Sequence, residues 1–347
     1  MKRVVLAPLD GSALAERALP YAVAYARLRG CVLRLAQAVF VRPLPGLDAT
    51  SEQLELTTGA ERYLQAVADR LAAEGVACET LAPYGPAASA LSDEARRPDV
   101  EALVLATHGR GGLQRQLLGS VATALLQRAT VPVLLVRAWH ASSTLARFTS
   151  GARILVPLDG SPLAEAALAP AEALAAALPG ELVLVRAVTG DDISLSPGGM
   201  PAALHHDTSL AESTAQLYLE RIAGRLAAAE YAVRPVVRAG APAAAIAAAG
   251  REWGVALIVM TTHGRTGFDR LLFGSVAEAV VRDGSAPVLL VPLPAARHLT
   301  ARPELPHRAP ASGPPERAKP ATTLYIFHKG ETSAPPAPRL AGQEEKA

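Results

Sequence analysis

Two cysteines, Cys31 and Cys78, are all that the 347 residues contain. One pair excludes a disulfide scaffold, and its spacing is not that of a metal site, so the composition suits a reducing cytoplasm. No stretch approaches the roughly 20 apolar residues of a membrane-spanning helix. The opening run from Lys2 to Leu9 begins like a secretory leader, but Asp10 ends it too early for one. Charge of one sign is scarce too. Against 34 Lys and Arg stand 32 Asp and Glu, and a net of +2 is too small to argue for a nucleic-acid partner. Residues 297–347 hold eight basic and five acidic residues, a net of +3, which leaves −1 for the 296 residues before them. Two phosphate-binding signatures are missing as well: Gly-x4-Gly-Lys-(Ser/Thr), and Gly-x-Gly-x-x-Gly after the first predicted strand.

What the chain does have is a copy of itself. Leu6-Ala7-Pro8-Leu9-Asp10-Gly11-Ser12 returns as Leu155-Val156-Pro157-Leu158-Asp159-Gly160-Ser161. Thr107-His108-Gly109-Arg110 returns as Thr262-His263-Gly264-Arg265, and Gly119-Ser120-Val121-Ala122 as Gly274-Ser275-Val276-Ala277. The offset is 149 at Asp10/Asp159 and 155 at His108/His263, so a domain was duplicated and the middle of one copy gained six residues. The length fits two domains of ordinary size. We expect a first domain over 1–140, a linker over 141–151, a second domain over 152–293 and a disordered Pro/Ala-rich tail over 294–347. That tail contains ten of the 28 prolines and little apolar periodicity, a composition that cannot bury enough surface to fold. Leu324-Tyr325-Ile326-Phe327 is an isolated apolar island within it.

Within each copy short apolar runs alternate with amphipathic segments, the pattern of βαβ units around a parallel sheet. The first copy predicts strands near 3–9, 31–39, 76–82, 101–106 and 132–137, with helices near 12–28, 51–74, 87–97 and 119–129. The second predicts strands near 153–158, 181–188, 231–238, 255–260 and 287–292, with helices near 161–178, 209–229, 241–253 and 275–283. Ser12 and Ser161 suit the N-cap of the first helix of each copy, and Gly30 and Gly180 suit left-handed helix stops. The fold class is α/β: two tandem Rossmann-like domains, each a five-stranded parallel sheet of order 3-2-1-4-5 with helices on both faces.

In such sheets ligands bind outside the carboxyl ends of the strands where the order reverses, here between strands one and four. Those two strand ends are the most polar of each copy: Asp10-Gly11-Ser12 with His108-Gly109-Arg110, and Asp159-Gly160-Ser161 with His263-Gly264-Arg265. Nine residues separate Gly109 from Gly119-Ser120 and Gly264 from Gly274-Ser275, and each Gly-Ser opens a helix. Glycine lets backbone amides approach an anion, and a helix start offers unpaired N–H groups and a positive dipole end. Ser120 and Ser275 add a hydroxyl, and Arg110 and Arg265 a charged fork.

These motifs resemble the universal stress protein family, whose ATP-binding branch carries Gly-x2-Gly-x9-Gly-(Ser/Thr). The resemblance covers about residues 1–137 and 152–293. It implies that Asp10 and Asp159 lie near ribose and adenine, with Pro8 and Pro157 beside the base. It implies too that Ala38 and Ala187 pack on adenine, and that Gly109, Gly119, Ser120 and Val121, like Gly264, Gly274, Ser275 and Val276, hold ribose and phosphates. The sequence departs from the pattern where Ala106 and Thr261 replace the first glycine, and where Gln37 and Arg186 replace a histidine common at the end of the second strand.

The expected ligand is an adenine nucleotide, ATP with Mg2+, one per copy, in a nucleotide-dependent stress-response regulator with no catalytic residue assigned. Two alternatives stay open: a slow ATP hydrolase, for which His108 and His263 are the candidate bases, and an interaction module without nucleotide. The Ser-Gly-Gly of ATP pyrophosphatase-type enzymes is absent. The last strands, 132–137 and 287–292, are apolar on both faces and end their sheets, so they are expected to pair within one chain as a pseudo-dimer. Further pairing of whole chains into a homodimer stays open.

Overall fold

A computed structural model describes residues 2–41, 50–107, 119–137, 145, 147–149, 151–189, 208–262, 274–292 and 325–327. The first copy contributes β1 (Val4–Pro8), α1 (Ala13–Glu16), α2 (Leu19–Arg29), β2 (Val32–Ala36), α3 (Thr50–Ala73), β3 (Cys78–Leu81), α4 (Ala87–Ala95), β4 (Val100–Thr107), α5 (Ser120–Arg128) and β5 (Val133–Arg137). The second contributes β6 (Arg153–Pro157), α6 (Pro162–Glu165), α7 (Leu168–Ala177), β7 (Glu181–Val188), α8 (Thr208–Ala228), β8 (Ala232–Ala239), α9 (Pro242–Glu252), β9 (Leu257–Thr261), α10 (Ser275–Asp283) and β10 (Val288–Val291). A last strand, β11, covers Tyr325–Phe327.

The strands form one sheet of order β11-β8-β7-β6-β9-β10-β5-β4-β1-β2-β3. Each half is therefore a parallel 3-2-1-4-5 sheet, as its alternating pattern predicts. The halves meet where β10 pairs antiparallel with β5, with Leu289 opposite Leu134. This central position explains the composition of the two strands. Alternate side chains point to opposite faces, and here both faces are core. Leu134 and Leu289 belong to the layer covered by α2, α3, α7 and α8, and Leu135 and Leu290 to the layer covered by α4, α5, α9 and α10. All four are at most 1% exposed.

Arg137, the last residue of β5, is 4% exposed. Its guanidinium donates across the junction to the backbone carbonyls of Arg282 and Gly284, where α10 ends. Carbonyls at a helix C-terminus lack intrahelical partners and carry the negative end of the dipole, so a buried cation there is matched in both hydrogen bonding and charge.

The structure corrects two local expectations. The helices expected over 12–28 and 161–178 are each broken in two, at Arg17–Ala18 and Ala166–Ala167. Pro20 and Pro170 stand just after the breaks, and neither has an N–H to donate to the preceding turn. Gly30 does adopt the left-handed conformation, φ 63° and ψ 36°. Gly180 does not; it is needed because a Cβ there would run into the Ala152 carbonyl oxygen. Beyond residue 292 the described residues are those of β11, which pairs parallel with the outer edge of β8, Tyr325 opposite Val236. Among the described residues no helix is long and apolar enough to cross a membrane.

Candidate functional site

The carboxyl ends of β7, β6 and β9 lie side by side in the second half. Around them is a cavity of about 300 Å³, the lower end of the size range of small-molecule sites. The end of β6 supplies Pro157, Leu158 and Asp159; the end of β7 supplies Val185, Arg186, Ala187 and the following Thr189. From β9 and its exit come Met260, Thr261 and Thr262, from α9 Pro242 and Ile246, and from the start of α10 Gly274, Ser275, Val276 and Ala277. Seven predicted second-copy residues thus meet in one space: Pro157, Asp159, Ala187, Thr261, Gly274, Ser275 and Val276. His263, Gly264 and Arg265 lie outside the described residues, as do His108, Gly109 and Arg110 in the first copy.

Local chemistry builds the polar rim. Ser161 caps α6, its Oγ accepting from the Ala164 amide at 3.2 Å. Asp159 Oδ1 in turn accepts from the Ser161 amide at 2.9 Å and from Ser161 Oγ at 2.6 Å. The aspartate thus shapes the turn as well as facing the cavity. The first copy repeats the turn: Asp10 Oδ1 accepts from the Ser12 amide at 2.9 Å and from Ser12 Oγ at 2.5 Å, and Ser12 Oγ accepts from the Ala15 amide.

Across the cavity, α10 begins at Gly274 without a side-chain cap. The Gly274 amide itself donates to the Thr262 carbonyl at 2.6 Å, which holds the start of α10 against the exit of β9. The amides after it, from Ser275 to Ala277, have no acceptor within the helix and begin at the cavity wall. In the first copy α5 starts the same way, at an uncapped Gly119 followed by Ser120 and Val121. Ala106 and Ala38 are half-buried against the two core layers, at the ends of β4 and beyond β2, and Pro8 ends β1.

One side of the cavity is held by a charged cluster. Tyr218, on α8, donates its hydroxyl to Glu165 at 3.0 Å. Burial and this carboxylate push the phenol pKa well above its ordinary value, so it stays a protonated donor. The Arg186 guanidinium stacks on the same ring, 5.0 Å from its centroid. Tyr63 and Glu16 form the matching pair in the first copy, also at 3.0 Å.

Sequence reasoning missed Thr189, Pro242, Ile246, Met260 and Thr262 as lining residues. Thr262 carried a signal, since it opens the repeated Thr-His-Gly-Arg. Pro242 and Ile246 carried none, because they enter from the helix after the third strand, and only the spatial arrangement brings that helix over the crevice.

A family model described as "Universal stress protein family" matches residues 1–137 and again 152–292. A universal stress protein of Mycobacterium tuberculosis is 32% identical over 197 residues, covering 55% of this chain and 62% of that protein. The chain thus spans somewhat under two thirds of the length of that relative. A second universal stress protein of the same organism is 29% identical over 299 residues, with 82% of this chain and 95% of that protein covered. Among solved structures, a universal stress protein from Archaeoglobus fulgidus matches with a TM-score of 0.63 at 23% identity, covering 83% of this chain and 97% of that one, a likeness of fold.

Proposed function

The chain belongs to the universal stress protein family, and from that premise we propose that it is a nucleotide-dependent stress-response regulator that holds adenine nucleotide, ATP with Mg2+, at the strand ends of each half. The observation that carries this reading is the cavity in which Asp159, Ala187 and the uncapped start of α10 converge. Ala187 and Ile246 offer an apolar seat for a base. Asp159 is placed to accept from ribose hydroxyls, and the Ser275 to Ala277 amides face phosphate oxygens, which the helix dipole favours. Thr261, where the family has glycine, still offers its backbone and adds a hydroxyl.

The paired β5 and β10 put the two halves back to back, so we read the molecule as a pseudo-dimer with two sites on one body. A cytoplasmic setting agrees with the free thiols of Cys31 and Cys78. The test is mass spectrometry of nucleotide released on denaturation, followed by titration calorimetry with Mg-ATP on the emptied protein. Two equivalents per chain at micromolar affinity, about −8.2 kcal/mol, are expected. Neither retained nucleotide nor binding heat would overturn the reading.

A further inference from the structure

The two sites differ at one position that the shared motifs do not cover. Pro157 is registered against Val185, and Pro8 against Ala36, so Arg186 and Gln37 are equivalent, one step beyond. In the second half the Arg186 guanidinium lies over the turn after β6. A Cβ built on Gly160 would stand 3.2 Å from Nη1. Arg186 also lines the cavity and stacks on Tyr218. The nearby Glu165 is occupied, since it accepts from Tyr218 and faces Arg221 at 3.8 Å. Among the described residues no carboxylate comes within ion-pair distance of Arg186, and its positive charge is left to the cavity.

In the first half a Cβ on Gly11 would meet nothing within 4 Å among the described residues. Gln37 is neutral, and its buried Oε1 has no hydrogen-bond partner among the described residues. One half therefore presents an acceptor in need of a donor, and the other a cationic fork in need of an anion. Both stand at the end of the second strand, beside the aspartate turn. In dinucleotide-binding α/β folds this is the place where the ribose edge is read: an acceptor there takes a free hydroxyl, and an arginine takes a phosphate. The second half then has two anion-attracting positions. Arg186 is at the end of β7 and the α10 start lies beyond β9, with β6 between them. Strands are spaced by about 4.8 Å, so the ends of β7 and β9 are about 10 Å apart.

We propose that the second site is selective for an adenine nucleotide with an additional phosphoryl group on the ribose 2′ or 3′ oxygen, held by Arg186, while the first site takes the free hydroxyl. This rests on the nucleotide reading above. The 5′ phosphate lies on the α10 start, the ribose over Asp159, and the second phosphate between Arg186 and Gly160. A guanidinium–phosphate pair is charge-assisted and frequently bidentate, so its loss is felt as about tenfold or more in affinity.

The test is calorimetry on the full chain with three probes: ADP, adenosine 2′,5′-bisphosphate and adenosine 3′,5′-bisphosphate. All carry two phosphates, so total phosphate number is held fixed and only placement varies. One of the bisphosphates should fill one site per chain at least tenfold more tightly than ADP. Arg186→Gln should abolish that preference, and Arg186→Lys should keep part of it. Gln37→Arg should raise the number of tight bisphosphate sites from one to two. ADP binding with no preference for either bisphosphate in the unaltered protein overturns this proposal and leaves the nucleotide reading standing. A preference that survives Arg186→Gln also overturns it. Failure of all three probes to bind overturns this proposal, and the Mg-ATP titration above then decides the nucleotide reading.

Discussion

The same aspartate serves two ends in each half, and substitutions separate them. Asp159 holds the Ser161 hydroxyl and amide, and Ser161 in turn caps α6. Ser161→Ala removes the cap together with the hydroxyl that Asp159 holds, keeps the carboxylate at the cavity, and should lower stability by about 1 kcal/mol, measured by urea unfolding. Asp159→Ala should lose that and nucleotide as well, so its calorimetric stoichiometry falls by one site. Gly274→Val tests the phosphate side. At φ −50° and ψ 150° the backbone suits any residue, so loss of the second site would report the side chain in the cavity rather than strain. Cys31 offers a check on a different side of the molecule. Burial, then the charge and hydrogen bond of Glu101, push its pKa up to about 12, so the folded chain keeps a neutral thiol where an unfolded one ionises. Between the ordinary thiol pKa near 9 and about 12 the folded state binds more protons, and stability falls as pH rises through that window. Alkylation at pH 8 should accordingly be slower in the native protein than in urea.

At the level of elements, strands and their order were legible because each is a short apolar run bounded by turn residues, and the repeat supplied every assignment twice. The broken helices were not, since periodicity runs straight through Pro20 and Pro170 and only the missing N–H marks the break. Gly180 was legible as necessary but not for the right reason, which lies in Ala152, 28 residues earlier. The pairing of β11 with β8 was out of reach because three residues give too little pattern to set against a proline-rich surround. The site was half legible: the strand-end motifs pointed to the crevice, but residues entering from α9 did not. The contrast between the two glycines is measurable. Gly30→Ala should cost about 1–2 kcal/mol for left-handed backbone. Gly180→Ala should exceed it, because backbone must move to admit the methyl group; urea midpoints of the two variants give the comparison.

For the whole molecule the decisive contact is between the halves. The center of the sheet is the β5–β10 pair, flanked by parallel sheets that run outward to β3 and β11. Leu134 and Leu289 face each other there with no exposure, and Arg137 ties the end of β5 to the end of the helix whose start is the proposed phosphate seat. The second half returns nothing equivalent, since Pro292 occupies the place after Val291 that Arg137 holds after Val136. Junction and second site therefore share α10, and damage at one end should be felt at the other. Arg137→Met keeps the stem's bulk but leaves two carbonyls without their donor, a loss of about 1–3 kcal/mol if they stay buried. The expected outcome is a lower melting temperature and weaker nucleotide binding at the second site, with the first site's affinity unchanged. Leu134→Lys with Leu289→Lys is the harsher variant: two like charges placed opposite each other in a dry layer should part β5 from β10. Small-angle scattering then distinguishes the cases. A profile that opens from one compact body to two lobes establishes that the pairing holds the halves together. A double variant as compact and as stable as the original would mean that contacts outside the sheet, such as Tyr21 of α2 edge-on to Phe148 in the segment between β5 and β6 at 5.8 Å, suffice without it.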